Sequence, residues 1–220
     1  MMLELRKIFL LALAGLLLSA PGVNAQGIGE MAPEKEPIVF PENSWGVDLL
    51  FGEGGFGLGT FYRKQLNSSF TFFADFSISE TKDDKEIEYI DYYGQPIVFG
   101  KKNRLLLMPL NFGAHYRLFD QVLSDNLRPY INFGFGPSMI VTTPYSREFF
   151  NSLGYAQAKY TAGGYIGFGA NFGLDKENLV GINLRYYVVR FFDEGVESLY
   201  GKFKKDVGGF YLTINIGSQY

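Results

Sequence analysis

The sequence predicts an all-β fold: an eight-stranded antiparallel transmembrane up-and-down β-barrel. Three observations point there. Eight segments alternate in side-chain character with a period of two. The residues named below on one face of each segment carry no charge. The connections alternate between short and long after a tight first hairpin.

The eight segments follow in order, each close to the roughly 9–11 residues that cross a bilayer at a tilt. Residues 44–51 place Trp45, Val47, Leu49 and Phe51 on one side. Residues 56–64 place Phe56, Leu58, Thr60 and Tyr62 there, and residues 69–79 place Phe70, Phe72, Ala74, Phe76 and Ile78. Residues 105–118 alternate from Leu106 through Met108, Leu110, Phe112, Ala114 and Tyr116 to Leu118. Residues 127–141 offer Ile131, Phe133, Phe135, Pro137 and Met139; residues 160–174 offer Ile166, Phe168, Ala170, Phe172 and Leu174. Residues 179–191 give Val180, Ile182, Leu184, Tyr186 and Val188, and residues 207–220 give Phe210, Leu212, Ile214 and Ile216.

A lipid-facing Arg or Lys at mid-membrane costs about 2–4 kcal/mol, so an uncharged face is what a membrane barrel requires. The opposite faces carry Asp48, Arg63, Asp75, Asn111, His115, Arg117, Asn132, Asn183, Arg185 and Asn215. A water-soluble sandwich would turn its charges outward. Here the polar face mixes Asp with Arg, as a closed interior would.

Composition agrees. The chain of 220 residues has 22 Phe, 15 Tyr, 27 Gly and no Cys, at a net charge of −3. Aromatic-rich and glycine-rich composition suits closed barrels, which place rings at the rims and small residues where strands crowd. Without Cys, strand pairing and burial must hold the fold. The slight charge offers nothing for a nucleic acid, and no cofactor is expected.

The N-terminus reads as an export signal over residues 1–25. Arg6 and Lys7 precede an apolar run at residues 8–18, which is too short to span a bilayer as a helix. Val23-Asn24-Ala25 fits the small-x-small cleavage rule. Residues 26–43, with Pro33, Pro37, Pro41 and several Glu, read as a flexible periplasmic segment before a barrel over residues 44–220.

The runs PYINFGFGPSM (129–139), GGYIGFGANFGL (163–174), VGINLRYYVVRFF (180–192) and GGFYLTINIG (208–217) resemble the small outer-membrane β-barrel family of OmpA- and OmpX-type barrels. Tyr220 is the terminal aromatic residue that such proteins use as an assembly signal; Ser218 departs from the apolar residue usual two positions earlier. The resemblance implies an integral protein of the bacterial outer membrane, with lipid, lipopolysaccharide and the barrel assembly machinery as partners. It implies short periplasmic turns, and long extracellular loops at residues 81–104, 142–159 and 192–206. Expected function is non-enzymatic, structural or binding an extracellular ligand through those loops. A lipid-A-modifying enzyme and a minor narrow channel are the alternatives.

Candidate sites follow from this frame. Asp48, Arg63, Asp75, His115, Arg117 and Arg185 are expected to form an interior polar network, since eight strands enclose a space just wide enough to be packed by side chains. His115, the only histidine, is expected inside and toward the periplasmic end, away from the leaflet where a lipid-modifying site would act. Gly52 to Gly57 matches G-x-G-x-x-G, but a strand follows it where a dinucleotide site needs a helix, so it reads as a hairpin tip. Asp83, Asp84, Glu86, Glu88 and Asp91 lack the spacing of a calcium loop and read as a solvated acidic surface. Tyr89, Tyr92, Tyr93, Tyr145, Tyr155 and Tyr200 form either a loop binding surface or an upper aromatic girdle.

Overall fold

The computed structural model describes residues 41–220 except 84, 93, 95, 121, 122, 124–126 and 173–176. The expected export signal, nearly all of the 26–43 segment, Asp84 and Tyr93 lie outside the described residues.

Eight strands close into an antiparallel barrel. They are β1 (Asn43–Gly52), β2 (Gly55–Gln65), β3 (Phe70–Thr81), β6 (Asn103–Arg117), β7 (Leu127–Pro144), β8 (Gln157–Phe172), β9 (Asn178–Arg190) and β12 (Asp206–Gln219). Each strand pairs with its sequence neighbour in the barrel, and β12 closes onto β1, with Asp48 opposite Asn215 and Phe51 opposite Leu212. Asn43 and Tyr220 exchange backbone hydrogen bonds of 3.2 and 2.9 Å, so the two ends of the barrel sequence meet. Closure leaves no unpaired edge in the wall.

The G-x-G-x-x-G run is the tip of the β1–β2 hairpin. Gly55 adopts φ 139°, which only glycine takes without strain. The other connections at that end of the barrel carry structure. β4 (Glu88–Ile90) and β5 (Pro96–Val98) form a hairpin after β3. A short helix, α1 (Phe149–Ser152), and a 3₁₀ turn (Leu153–Tyr155) follow β7. β10 (Val196–Leu199) and β11 (Lys202–Lys204) form a hairpin after β9.

Side chains alternate along every barrel strand as expected. Trp45, Leu58, Phe72, Phe133, Phe168, Leu184 and Leu212 stand exposed on the outer wall, while Asp48, Arg63, Asp75, Asn111, Asn132, Asn183 and Thr213 are buried inside. The interior differs from the expected polar one in its upper part. Toward the long-loop end Leu105, Leu107, Ile140, Val189, Phe191 and Val207 point inward and pack with Val196 of β10. The lumen therefore has a polar, aromatic middle and an apolar top.

Candidate functional site

The middle of the lumen is built around one guanidinium. Arg185 on β9 donates from Nη2 to Asp48 Oδ2 on β1 at 2.9 Å, and its Nη1 lies 3.5 Å from Asp75 Oδ2 on β3. The remaining carboxylate oxygens are also engaged. Asn215 donates to Asp48 Oδ1, and Asn111 donates to Asp75 Oδ1 at 2.9 Å. The Tyr165 hydroxyl donates to Asp75 Oδ2 at 2.7 Å. Buried charge is tolerated only when paired and hydrogen-bonded in this way.

Around that centre Phe73, Tyr165, Tyr187 and Tyr211 run in a chain of ring contacts, with successive centroids 6.0, 4.8 and 5.4 Å apart. Small residues on the neighbouring strands make room. A Cβ on Gly134 would sit 2.9 Å from the Tyr165 ring, and one on Gly113 would sit 2.6 Å from Phe73. The alternation of glycine with large rings, visible in the sequence, thus fills the bore at this level.

The other expected members of the network form no ion pair with this centre, although His115 stacks on Tyr130, whose hydroxyl donates to Asn215 Oδ1 at 3.4 Å. Arg63 sits nearer the short-turn end, 4.1 Å over the Phe61 ring, and donates to Asn171 Oδ1 at 3.4 Å. His115 is buried between Phe73 and Tyr130, with ring centroids 4.7 and 4.5 Å away. Arg117 ends β6 and is half-buried. Only Asp48, Asp75 and Arg185 of the six are in mutual contact as ion pairs.

Above the apolar seal the loops are joined to one another. The 98–102 stretch runs beside β10: Lys102 N–H donates to Ser198 O at 2.7 Å, and Tyr200 N–H donates to Gly100 O at 2.9 Å. Glu86, expected on a solvated acidic surface, is instead enclosed, with 2% of its side chain exposed. Lys101, 9% exposed, pairs with it at 2.8 Å, and the Ser198 hydroxyl donates to it. Asp83 of the same run is buried as well, 6% exposed, so the run is not the solvated surface expected: at Glu86 a cation and a hydroxyl from elsewhere in the chain close over it. Lys102 pairs with Glu197, Lys159 with Asp193 at 2.9 Å, and Lys204 donates to Lys82 O at 3.0 Å. The two hairpins and the barrel rim are thereby stapled into a lid over the apolar seal.

The electrostatics of the lid agree with its geometry. Burial pushes the Glu86 carboxyl up, but the hydrogen bonds from Lys101 and Ser198 outweigh it and hold the pKa below the ordinary value. Lys102 and the Gly201 N–H lower Glu197, and the Gly195 N–H and Lys159 lower Asp193. Among the described residues, no group of three or more His, Cys, Asp or Glu is placed to hold a metal.

The tyrosines of the long loops divide in two. Tyr89, Tyr92, Tyr155 and Tyr200 are exposed, with Tyr92 at 98%. Tyr145 is half-buried beneath Lys101 and Arg104, 5.1 and 4.9 Å from its ring. Sequence reasoning read Glu86 as solvated and passed over Lys101, Ser198 and Val196. The one available signal was Tyr200-Gly201 between Val196–Leu199 and Lys202–Lys204, a two-residue hairpin pattern.

No protein-family model matches the sequence, and no curated protein matches it. Solved structures do resemble it. Neisserial surface protein A aligns at 11% identity over 81% of this chain and 94% of that chain, with a TM-score of 0.50. The outer membrane protein OprG of Pseudomonas aeruginosa aligns at 10% identity over 84% and 98%, TM-score 0.44. The N-terminal β-barrel domain of Pseudomonas aeruginosa OprF aligns at 12% identity over 81% and 97%, TM-score 0.44. At such identities the likeness is one of fold. The chain is an eight-stranded transmembrane β-barrel with the fold seen in small outer-membrane barrels.

Proposed function

We propose that this is a non-enzymatic integral protein of the bacterial outer membrane whose working surface is the lid, held outside the cell. The observation that carries this reading is the enclosed Glu86–Lys101 pair with Ser198 closing on it. A loop that merely connects strands has no need of a buried ion pair, which is costly to desolvate and useful mainly for fixing one geometry. Loops held on a rigid scaffold are where binding residues concentrate.

What the lid presents is apolar. On the β4–β5 hairpin Tyr89 packs against Phe99, with centroids 5.2 Å apart, and Ile90, Tyr92 and Phe99 stand largely exposed. Aromatic side chains supply contact area at low entropic cost, which suits capture of an extracellular ligand. The outer wall meets membrane lipid and lipopolysaccharide, and the barrel assembly machinery inserts the chain. His115, packed between two rings below the Arg185 centre, supports a structural role for that residue.

Orientation is the premise, and labelling tests it. Lys85→Cys, Asn151→Cys and Lys202→Cys, all at exposed positions, are expected to react with a membrane-impermeant maleimide on intact cells. Ser68→Cys is expected to react only after the outer membrane is permeabilised. The opposite pattern would put the lid in the periplasm and end the proposal.

A further inference from the structure

The outer wall is not evenly covered. Along most of the barrel the lipid-facing positions hold large side chains, but on β8 two successive outward positions are Ala162 and Gly164. Registers place Gly164 between Phe135 of β7 and Val188 of β9, and Ala162 between Pro137 and Arg190. The result is a trough of about 380 Å³ with an almost wholly apolar lining. Phe135 and Val188 form its sides, Ile166 and Tyr186 close one end, and Arg190 and Phe192 stand at the other. The floor is imposed by packing, because a Cβ on Gly164 would lie 2.5 Å from Gly134 O.

Chemistry defines the occupant. The trough opens onto the lipid-facing wall, so what fills it is a hydrocarbon chain. Its open end is marked by charge. Val180, Ile182, Leu184, Tyr186 and Val188 are the outward residues of β9, and Arg190, the next outward position, is the first cation on that face. It lies at the long-loop end, where headgroups begin. Its side chain is 69% exposed, with Nε 3.5 Å from Asp206 Oδ1. A guanidinium carries five N–H donors in a planar fork suited to phosphate, so a single carboxylate contact does not exhaust it.

We propose that this trough binds a phosphorylated, acylated lipid of the outer leaflet, with one acyl chain lying along Ala162 and Gly164 and a phosphate on Arg190. The leaflet rests on the orientation proposed above; the pairing of chain and cation does not. The site would make the barrel a selective neighbour for that lipid rather than a passive guest in it.

The test is lipid retention by the purified full-length barrel, exchanged into nanodiscs and read by native mass spectrometry. The probes are lipid A, its dephosphorylated form and phosphatidylethanolamine. Lipid A is expected to stay bound, its dephosphorylated form to be lost, and phosphatidylethanolamine, whose single phosphodiester carries less charge, to be held more weakly than lipid A. Arg190→Gln and Ala162→Trp are each expected to lower retention about tenfold, the scale of one charge-assisted contact. Leu58→Trp, on another part of the wall, is expected to change nothing. Asp206→Asn, which removes the competing carboxylate, is expected to keep or raise retention; a loss matching Arg190→Gln would mean that Arg190 serves only its ion pair and would overturn the proposal. Equal retention of dephosphorylated lipid A, or equal retention by all variants, would overturn it too. Gel mobility of unboiled samples verifies that each variant is folded. A reversed labelling pattern on cells would sink the orientation while leaving these retention ratios unchanged, so the two failures are separable.

Discussion

Arg185 on β9 and Asp48 on β1 are 137 residues apart in sequence and 2.9 Å apart in the lumen. Their contact spans β12, which lies between their strands in the wall.

Removing Arg185 strands two carboxylates in the closed interior. Arg185→Ala is expected to cost about 3–5 kcal/mol, the range seen when one partner of a buried pair is deleted. Asp48→Asn is expected to cost less, because Asp75 still faces the guanidinium. Urea unfolding of the folded barrel in lipid vesicles measures both, and equal costs would contradict the shared-cation arrangement.

The bore is blocked twice. The Arg185 centre with its chain of rings closes the middle, and Val189, Phe191 and Val196 close the top. Replacing residues 193–204 by a short turn is therefore expected to leave the barrel without conductance steps in planar bilayers. The same deletion combined with Arg185→Ala is expected to produce them. Conductance from the deletion alone would show that the lid is the only barrier.

The lid is expected to loosen in acid. Glu86, Glu197 and Asp193 all have folded-state pKa values below their ordinary values of 4.5, 4.5 and 3.8. A depressed carboxylate stabilises fully above its ordinary value, and that stability is lost as pH falls through the folded value. Amide hydrogen exchange across residues 196–204 should thus be unchanged from pH 7 to about 5 once corrected for intrinsic rates, and faster below about 4. Loosening between pH 7 and 5 would assign the lid to other groups.

Substitutions on the two faces of the wall should separate cleanly. Leu212→Arg and Ile182→Arg place a charge in lipid and are expected to cost about 2–4 kcal/mol. Thr213→Val, one residue away on the inner face, removes a buried hydroxyl that has no hydrogen-bond partner among the described residues. Its effect on stability is expected to stay within about 1 kcal/mol, since no satisfied bond is lost. Folded yield by gel shift and urea midpoints check both.

The wall of this barrel was legible because lipid imposes a rule with a period of two. Phe133, Ile182 and Leu212 could be assigned outward, and Asn183 and Asn215 inward, from alternation alone. The top of the lumen was not legible for the same reason. Val189 and Phe191 sit in the run YYVVRFF, where Arg190 is the one polar residue and apolar or aromatic side chains fall on both faces, so alternation says nothing about what the inner face packs against. The lid escaped reading because its determinants are distant. Glu86 among Asp83, Asp84 and Glu88 looks like solvated charge until Ser198, 112 residues on, is brought over it. Arg63 and Arg185 look equivalent in sequence; only the closed register shows that Arg185 reaches both aspartates while Arg63 reaches Asn171.

The pairing of β12 with β1 sets the order in which this chain can be completed. Hairpins such as β1–β2 can form as soon as their residues emerge, but the seam cannot: Asn215 and Asp48 meet across 167 residues, and β1 has no second neighbour until β12 arrives. Within lipid, a sheet of the first seven strands would keep two edges whose N–H and C=O groups the hydrocarbon cannot satisfy. Closure of this wall therefore depends on one long-range pairing, in which the fourteen residues of β12 give β1 its second neighbour.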